Sequence, residues 1–474
     1  MLFCSTAYFI FFCVVFVAYW SMPWRQARVW LLLAASLYFY ASWNKWLALI
    51  ICVSSLMDYL LARGIEASST RRSRRLMLGV SIVGNLGLLC YFKYVNFFLQ
   101  SLEEALRAAG STTSLPLLNV ILPIGISFYT FEAISYTVDV YQRRIQAERN
   151  PLHFILFITF FPHLVAGPIV RARDFLPQIR RRKHWNWARL HVGVQFFLVG
   201  MFKKMVIADR MAAFSDPVFA DPEMFGSAAV WMAMTAYALQ IYCDFSGYTD
   251  MAIGTAHMLG YKLAPNFNLP YLATNVSEFW RRWHISLSTW LRDYLFIPLG
   301  GSRVSEWKIA RNLVIVMALG GLWHGAAWTF VIWGLLHGAF LIIHRGFRAF
   351  CERQPLLSRA LQSAPGTVGR IATTFLSVCI AWVFFRATSF TTAISFIKRL
   401  AFWRDGSMVE LTYHSWATLA AVVLVCHILM YFEYWKRLVE RMPPAVLGMS
   451  YAVLATLALV LTPESGKVFI YFQF

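Results

Sequence analysis

The sequence predicts an all-α, polytopic membrane protein, and three observations carry that prediction. Of its 474 residues 59% are hydrophobic and only 14% are charged, whereas soluble domains carry about 25% charged residues and fewer than half apolar ones. Aromatic residues reach 17%, more than a soluble core uses and suited to interfacial belts and a lipid-facing surface. The apolar residues gather in runs near the roughly 20 residues that a crossing helix needs. No polar span between them is long enough to fold alone. The expectation is one membrane domain over residues 1–474, with about 10–12 transmembrane helices plus re-entrant or interfacial segments.

The first run, Leu2–Trp20, lacks a basic leader and a small-x-small cleavage site. It reads as a retained transmembrane helix rather than a secretory signal. Further runs follow at Val29–Ser42, Trp46–Leu61, Leu76–Leu99, Leu117–Tyr141, Phe154–Val170, His191–Ile207, Ala228–Leu259, Ala310–His344, Ile371–Phe385, Trp416–Tyr431 and Ala445–Leu461. Two are interrupted. Leu122-Pro123-Ile124-Gly125 opens one, and Phe160-Phe161-Pro162-His163-Leu164-Val165-Ala166-Gly167-Pro168 breaks another. Both read as re-entrant walls or as kinked helices, because irregular backbone at membrane depth survives only against protein or a cavity. The most loop-like stretch is Gln354–Gly369.

Lys and Arg number 43 against 23 Asp and Glu, a formal charge of +20. The cations fall in short loops between apolar runs, which is a positive-inside pattern and not a nucleic-acid face. Arg25 and Arg28 follow the first run, Arg63, Arg71, Arg72, Arg74 and Arg75 the third, and Arg143, Arg144 and Arg149 the fifth. That alternation places the N-terminus outside and the arginine-rich loops in the cytoplasm, facing anionic headgroups or an anionic co-substrate. The segment Arg171–Arg189, with Arg180, Arg181, Arg182 and Lys183, has two readings: an amphipathic segment on anionic lipid, or a vestibule that attracts a phosphate-bearing donor.

The eight cysteines are scattered without a C-x-x-C pair, so they read as small buried hydrophobes rather than a disulfide framework or zinc site. A thiol carrying an acyl group is the minor alternative. The histidines show no H-E-x-x-H or similar spacing, and no metal is expected. No Walker A, dinucleotide fingerprint or G-x-S-x-G elbow occurs, which disfavours ATP-driven pumps and elbow-serine hydrolases. Asp58, Glu132, Asp139, Asp244 and Asp250 lie in or near apolar runs; each either ties neighbouring helices or lines a polar path.

The stretch with chemistry in it is Pro265–Gly338. Two histidines, His284 and His324, sit there among tryptophans. An ionisable group inside a membrane is costly and by default marks function. Around His324, Gly320, Gly321 and Gly325 allow close approach of backbone or substrate, and Trp323 and Trp328 offer walls. A neutral imidazole in that setting suits a general base acting on a hydroxyl; a structural, hydrogen-bonded histidine is the other reading. His284 ends Trp280-Arg281-Arg282-Trp283, with Ser288 four residues on and so on the same helical face. This is either an interfacial amphipathic helix with snorkelling arginines or a substrate-orienting imidazole, with Arg281, Arg282 and Arg292 meeting donor phosphates.

The run Trp280–His284, continuing through Ile285-Ser286-Leu287-Ser288-Thr289-Trp290-Leu291-Arg292-Asp293-Tyr294 to Pro298-Leu299-Gly300-Gly301, resembles the signature of the membrane-bound O-acyltransferase superfamily. So does Gly321-Leu322-Trp323-His324-Gly325. The likeness is nearest to the bacterial alginate O-acetylation branch, related to the D-alanyl transfer protein of teichoic acid synthesis. Ser127–Phe131, Val138–Tyr141, Leu164–Pro168 and the terminal Phe469–Phe474 add to it. It covers nearly the whole chain and is weakest at Glu352–Gly369 and Trp403–Tyr413.

The resemblance implies a thinned helical membrane domain whose signature core is 265–338, with a central tunnel joining its two faces. It implies catalysis by His324 and His284, with Trp280, Arg281, Arg282, Trp283, Ser288, Arg292 and Trp323 as candidate donor- or substrate-binding residues. No bound cofactor is implied; acetyl-CoA is the expected co-substrate, entering from the cytoplasm. The acetyl group would reach an exopolysaccharide or cell-wall glycan through a periplasmic or extracellular acetyltransferase partner, from the bacterial inner membrane. D-alanyl or peptidoglycan acyl transfer is the enzymatic alternative; a transporter or a scaffold of a secretion complex is the non-enzymatic one.

Overall fold

The computed structural model describes residues 3–165, 167–408 and 413–462. Ala166 and the terminal Phe469–Phe474 motif lie outside them. Among the described residues no strand forms, and six helices are long and apolar enough to cross a membrane: Lys45–Ala67, Arg71–Ala108, Trp187–Ala220, Trp328–Glu352, Ala364–Arg386 and His414–Tyr431. Thr6–Ser21 and Pro444–Val460 are shorter apolar helices. The chain is an all-α, multi-pass membrane protein. Its helices divide into two compact units, one made of Met1–Phe197 with Met251–Ala264, the other of Leu198–Asp250 with Pro265–Phe474.

In the first unit helices expose large apolar side chains and bury polar ones among an apolar core. Lys45–Ala67 exposes Trp46, Leu49, Val53 and Leu60 while it buries Ser54 and Asp58. Only a hydrocarbon surrounding makes that arrangement favourable. Asp58 accepts from Ser81 Oγ at 2.5 Å and from Asn85 Nδ2 at 2.8 Å, and Ser81 reaches Thr137 at 3.0 Å, so one carboxylate ties three helices. The sequence left Asp58 open between helix tie and polar path; it is a tie. Glu132 likewise accepts from the Val170 amide at 2.7 Å, and Asp139 pairs with Arg144 at 3.2 Å.

The two interrupted runs are irregular where the prolines and glycines stand. The fifth becomes helical only at Ile126, after Gly125 at φ +74°. The sixth is split into Pro151–Thr159 and Phe161–Leu164. Gln354–Gly369, expected as loop, instead holds the helix Pro355–Gln362 and the start of Ala364–Arg386. Pro355 sits in the first turn of one helix and Pro365 in that of the next, where proline's missing N–H costs nothing. Ser363 caps the second by accepting from the Gly366 amide at 3.2 Å.

The second unit is built round a hairpin of Glu306–His324 and Trp328–Glu352, with Ala364–Arg386 against the latter. Ala310–His344, read as one apolar run, is therefore two helices. Glycine makes the close crossing possible: a Cβ on Gly321 would collide with the Phe330 carbonyl oxygen, and one on Gly334 with that of Met317. Trp283, Trp333 and Trp382 are fully buried at its centre. Lys204 lies 2.6 Å from Asp209 and 2.9 Å from Asp244, and Lys203 lies 2.6 Å from Asp250. The last two carboxylates that the sequence left unassigned are thus paired.

Candidate active site

The signature stretch does not form one amphipathic helix. Asn275 opens the helix Val276–Arg282, accepting from the Glu278 amide at 2.9 Å, and the Glu278 carboxylate accepts from the Thr274 amide at 2.8 Å. Burial would raise the Glu278 carboxyl, but hydrogen bonds from Thr274 and Arg282 hold it below the ordinary range. The helix stops at Trp283, and His284 takes a left-handed backbone with φ +42° before Ile285–Leu291 begins. The break leaves backbone groups that must find new partners. The loop 265–268 provides them: Asn268 N donates to Arg282 O at 2.9 Å, and Ile285 N donates to Asn266 O at 2.9 Å.

The Asn266 side chain completes that junction. Its Oδ1 accepts from the Ser286 amide at 3.1 Å and from Ser286 Oγ at 2.9 Å, and it lies 3.2 Å from His284 Nδ1. An amide N–H only donates, so the atom facing Ser286 is the oxygen, and Nδ1 of His284 is the protonated ring nitrogen. Nε2 then carries the lone pair.

His324 ends the first hairpin helix. Its ring lies 6.3 Å from that of His284, centroid to centroid, and both histidines are buried. Trp323 lies 5.0 Å from His324 and 6.0 Å from His284, while Trp333 and Phe385 stand edge-on to His324 at 5.1 and 5.2 Å. Phe245 stands edge-on to His284 at 4.7 Å. The walls are aromatic, and the two imidazoles are the polar groups facing each other between them.

The expected residues divide. Trp323 joins the histidine pair. Trp328 does not serve as a wall; it begins the next helix and is half exposed. Trp283 is core, packed 5.0 Å from Phe267 and 5.1 Å from Trp382. Trp280 is buried and edge-on to Trp333 at 5.8 Å. Ser288 bonds the Trp283 carbonyl at 3.2 Å; because His284 is outside the helix, Ser286 and not Ser288 shares its hydrogen-bond centre. Arg282 pairs with Glu278 at 2.7 Å and Arg292 with Asp293 at 2.8 Å, while Arg281 is exposed.

Two residues given no role in the sequence reading belong to this region. Asn266 is one; its partners lie 18 and 20 positions away, and no local pattern announces them. His337 is the other. It is fully buried, 4.8 Å from Trp333 and 5.1 Å from Trp280, and neither ring nitrogen meets a hydrogen-bond partner among the described residues. Its spacing, four residues after Trp333 on one helix, puts both on one face. Among the described residues no group of three or more His, Cys, Asp or Glu is arranged to hold a metal ion.

The family described as MBOAT, membrane-bound O-acyltransferase, matches residues 1–376. The chain belongs to that family. Among curated proteins, the membrane-bound O-acyltransferase chain is similar to the "probable alginate O-acetylase AlgI" of Azotobacter vinelandii, 40% identical over 87% of this chain and 80% of that protein. The protein of the same name from Pseudomonas aeruginosa is 41% identical over 83% of this chain and 73% of its own. The "peptidoglycan O-acetyltransferase" of Helicobacter pylori is 38% identical over 85% and 80%. The family match takes in both histidines and the whole signature stretch.

Proposed function

We propose that this chain is an O-acetyltransferase of the bacterial inner membrane, working as one domain over 1–474. It moves an acetyl group from cytoplasmic acetyl-CoA to a hydroxyl of an extracytoplasmic polysaccharide, through a partner acetyltransferase on the far side. The observation that supports this most directly is the pair of buried imidazoles 6.3 Å apart between aromatic walls. The relatives named for alginate and for peptidoglycan both acetylate a glycan, which supports the acceptor class.

His324 is the general base. It takes the proton of the acceptor hydroxyl as that oxygen attacks the thioester carbonyl. The C–O bond forms, the C–S bond breaks, and the imidazolium returns its proton to the departing thiolate. Products are an ester and a free thiol. His284, with Nδ1 committed to Asn266, offers Nε2 as an acceptor; it orients the hydroxyl, and this tautomer has no N–H there with which to polarise a carbonyl. Aromatic walls exclude water, which limits loss of acetyl to hydrolysis. Transfer of acetyl alone spares the membrane the burial of several phosphate charges.

The test is purified His324→Ala, checked for folding by gel filtration and thermal unfolding, then given labelled acetyl-CoA, the partner acetyltransferase and a glycan acceptor, beside the wild type under the same conditions. General-base loss lowers transfer by about 10²–10⁴-fold. Undiminished transfer removes the assignment. Passage of intact donor across a vesicle without thioester cleavage supports the transporter instead.

A further inference from the structure

Away from the histidine pair, the first unit contains a cavity of about 610 Å³. On one side it is lined by Arg181, Arg182 and Lys183, which follow the helix Ala172–Arg180, and by Arg189 of the helix Trp187–Phe202. Lys262, beyond the end of Ser227–Met258, lines the other. Among the described residues none of these five cations is within ion-pair distance of a carboxylate, and the one lining carboxylate, Asp174, faces Arg173 at 3.8 Å.

The cations are crowded as well as unpaired. Gly260 has φ +87°, and a Cβ there would meet Arg189 Nη1 at 3.1 Å and Lys183 Cδ at 3.4 Å; two cationic side chains share one patch of bare backbone. Lys183 Nζ stands 4.2 Å over the Tyr261 ring. Burial, with Arg189 and Arg181 nearby, pulls Lys183 down to about 8, the response of an ammonium kept from water among like charges.

Hydrogen bonds to backbone groups hold the walls. Arg25 Nη1 donates to Arg180 O at 2.6 Å and Arg28 Nη1 to Lys183 O at 2.8 Å. Gln178 exchanges two bonds with the Lys262 backbone at 2.8 and 3.0 Å. Two arginines and a glutamine thus fix two carbonyls and both backbone groups of Lys262, leaving five other cations lining the cavity. A surface that only needed charge for lipid contact would not need its backbone pinned this way.

We infer that this cavity is a binding site for phosphate, taking an anionic ligand that carries one or more phosphate groups on a larger frame. Guanidinium forks on Arg181, Arg182 and Arg189 bind phosphate oxygens bidentately, with Lys183 and Lys262 as point charges. The volume is that of a nucleotide or a phospholipid headgroup and exceeds inorganic phosphate alone. By the positive-inside argument the site opens to the cytoplasm. It does not rest on the histidine assignment, and the site holds even if that assignment fails.

The test uses the full chain in an uncharged maltoside detergent. One arm titrates soluble coenzyme A by calorimetry at 50 and 300 mM salt. The other compares retention of phosphatidylglycerol and phosphatidylcholine by native mass spectrometry after exchange from 1:1 vesicles. Wild type binds coenzyme A, or retains phosphatidylglycerol at least tenfold over phosphatidylcholine; the arm that responds identifies the source of the phosphate. Either signal weakens with salt and falls about tenfold or more in Lys183→Gln/Arg189→Gln. Should that pair fail to fold, the exposed Arg181→Gln lowers the same signal severalfold. The inference is overturned if neither probe binds, or if the substitutions leave binding unchanged.

Discussion

Asn266 Oδ1 sets the tautomer of His284. It lies 3.2 Å from Nδ1 while two donors of Ser286 fix which end of the amide faces them. A loop residue with no chemistry of its own thereby decides which nitrogen of a buried imidazole can take a proton. Removing such an orienting partner typically costs about 10–100-fold.

Asn266→Ala should accordingly lower acetyl transfer by about 10–100-fold with KM for acetyl-CoA nearly unchanged. It should also lower stability by about 1–3 kcal/mol, because the buried Ser286 amide loses its acceptor. Steady-state kinetics and thermal unfolding check both. Full activity would show that His284 does not depend on this tautomer.

The glycine crossing of the hairpin makes a second prediction. Gly321→Val must push the two helices apart and should destabilise the protein by about 1–3 kcal/mol, with activity lost because His324 lies three residues on. Gly346→Ala, where nothing lies within 4 Å of the added Cβ, serves as control and should be neutral or slightly stabilising by helix propensity.

Lys204 is the cation between Asp209 and Asp244, all three side chains at most 4% exposed. Lys204→Met strands two carboxylates in a dry interior, and the expected loss is about 3–5 kcal/mol. Replacing all three by apolar or amide groups of like size should recover most of it. Chemical unfolding of the single and triple variants measures the difference.

Glu148 offers a pH test outside the spans. Burial would raise its carboxyl, but His153, the Asn150 amide and Arg180, 2.6 Å away, hold it at about 2 against an ordinary 4.5. A depressed folded value gives stability that is present above about 4.5 and lost as pH falls towards about 2. Thermal unfolding at pH 6, 4 and 3 should show that decline in wild type and a shallower one in Glu148→Gln.

Much of this protein was legible before its structure, and the failures have physical causes. The spans were readable because lipid demands long apolar runs, and the observed helix Ser227–Met258 differs from the expected Ala228–Leu259 by one residue at each end. The turn inside Ala310–His344 was hidden because Gly325-Ala326-Ala327 is apolar and adds no polar break. Gln354–Gly369 reads as loop from its sequence, yet Pro355 and Pro365 stand in first turns, where proline starts a helix. The two histidines stood out because tryptophan surrounds them. Asn266 did not, since its role exists only once the chain has folded back on itself.

The left-handed backbone of His284 changes how a knockout there should be designed. Alanine at that position keeps the awkward φ of +42° while discarding the ring, so any loss of output confounds chemistry with strain. Glycine accepts that conformation freely and removes the imidazole alone. A glycine variant that is sturdier than the alanine one, yet equally idle, separates the two contributions at a single codon.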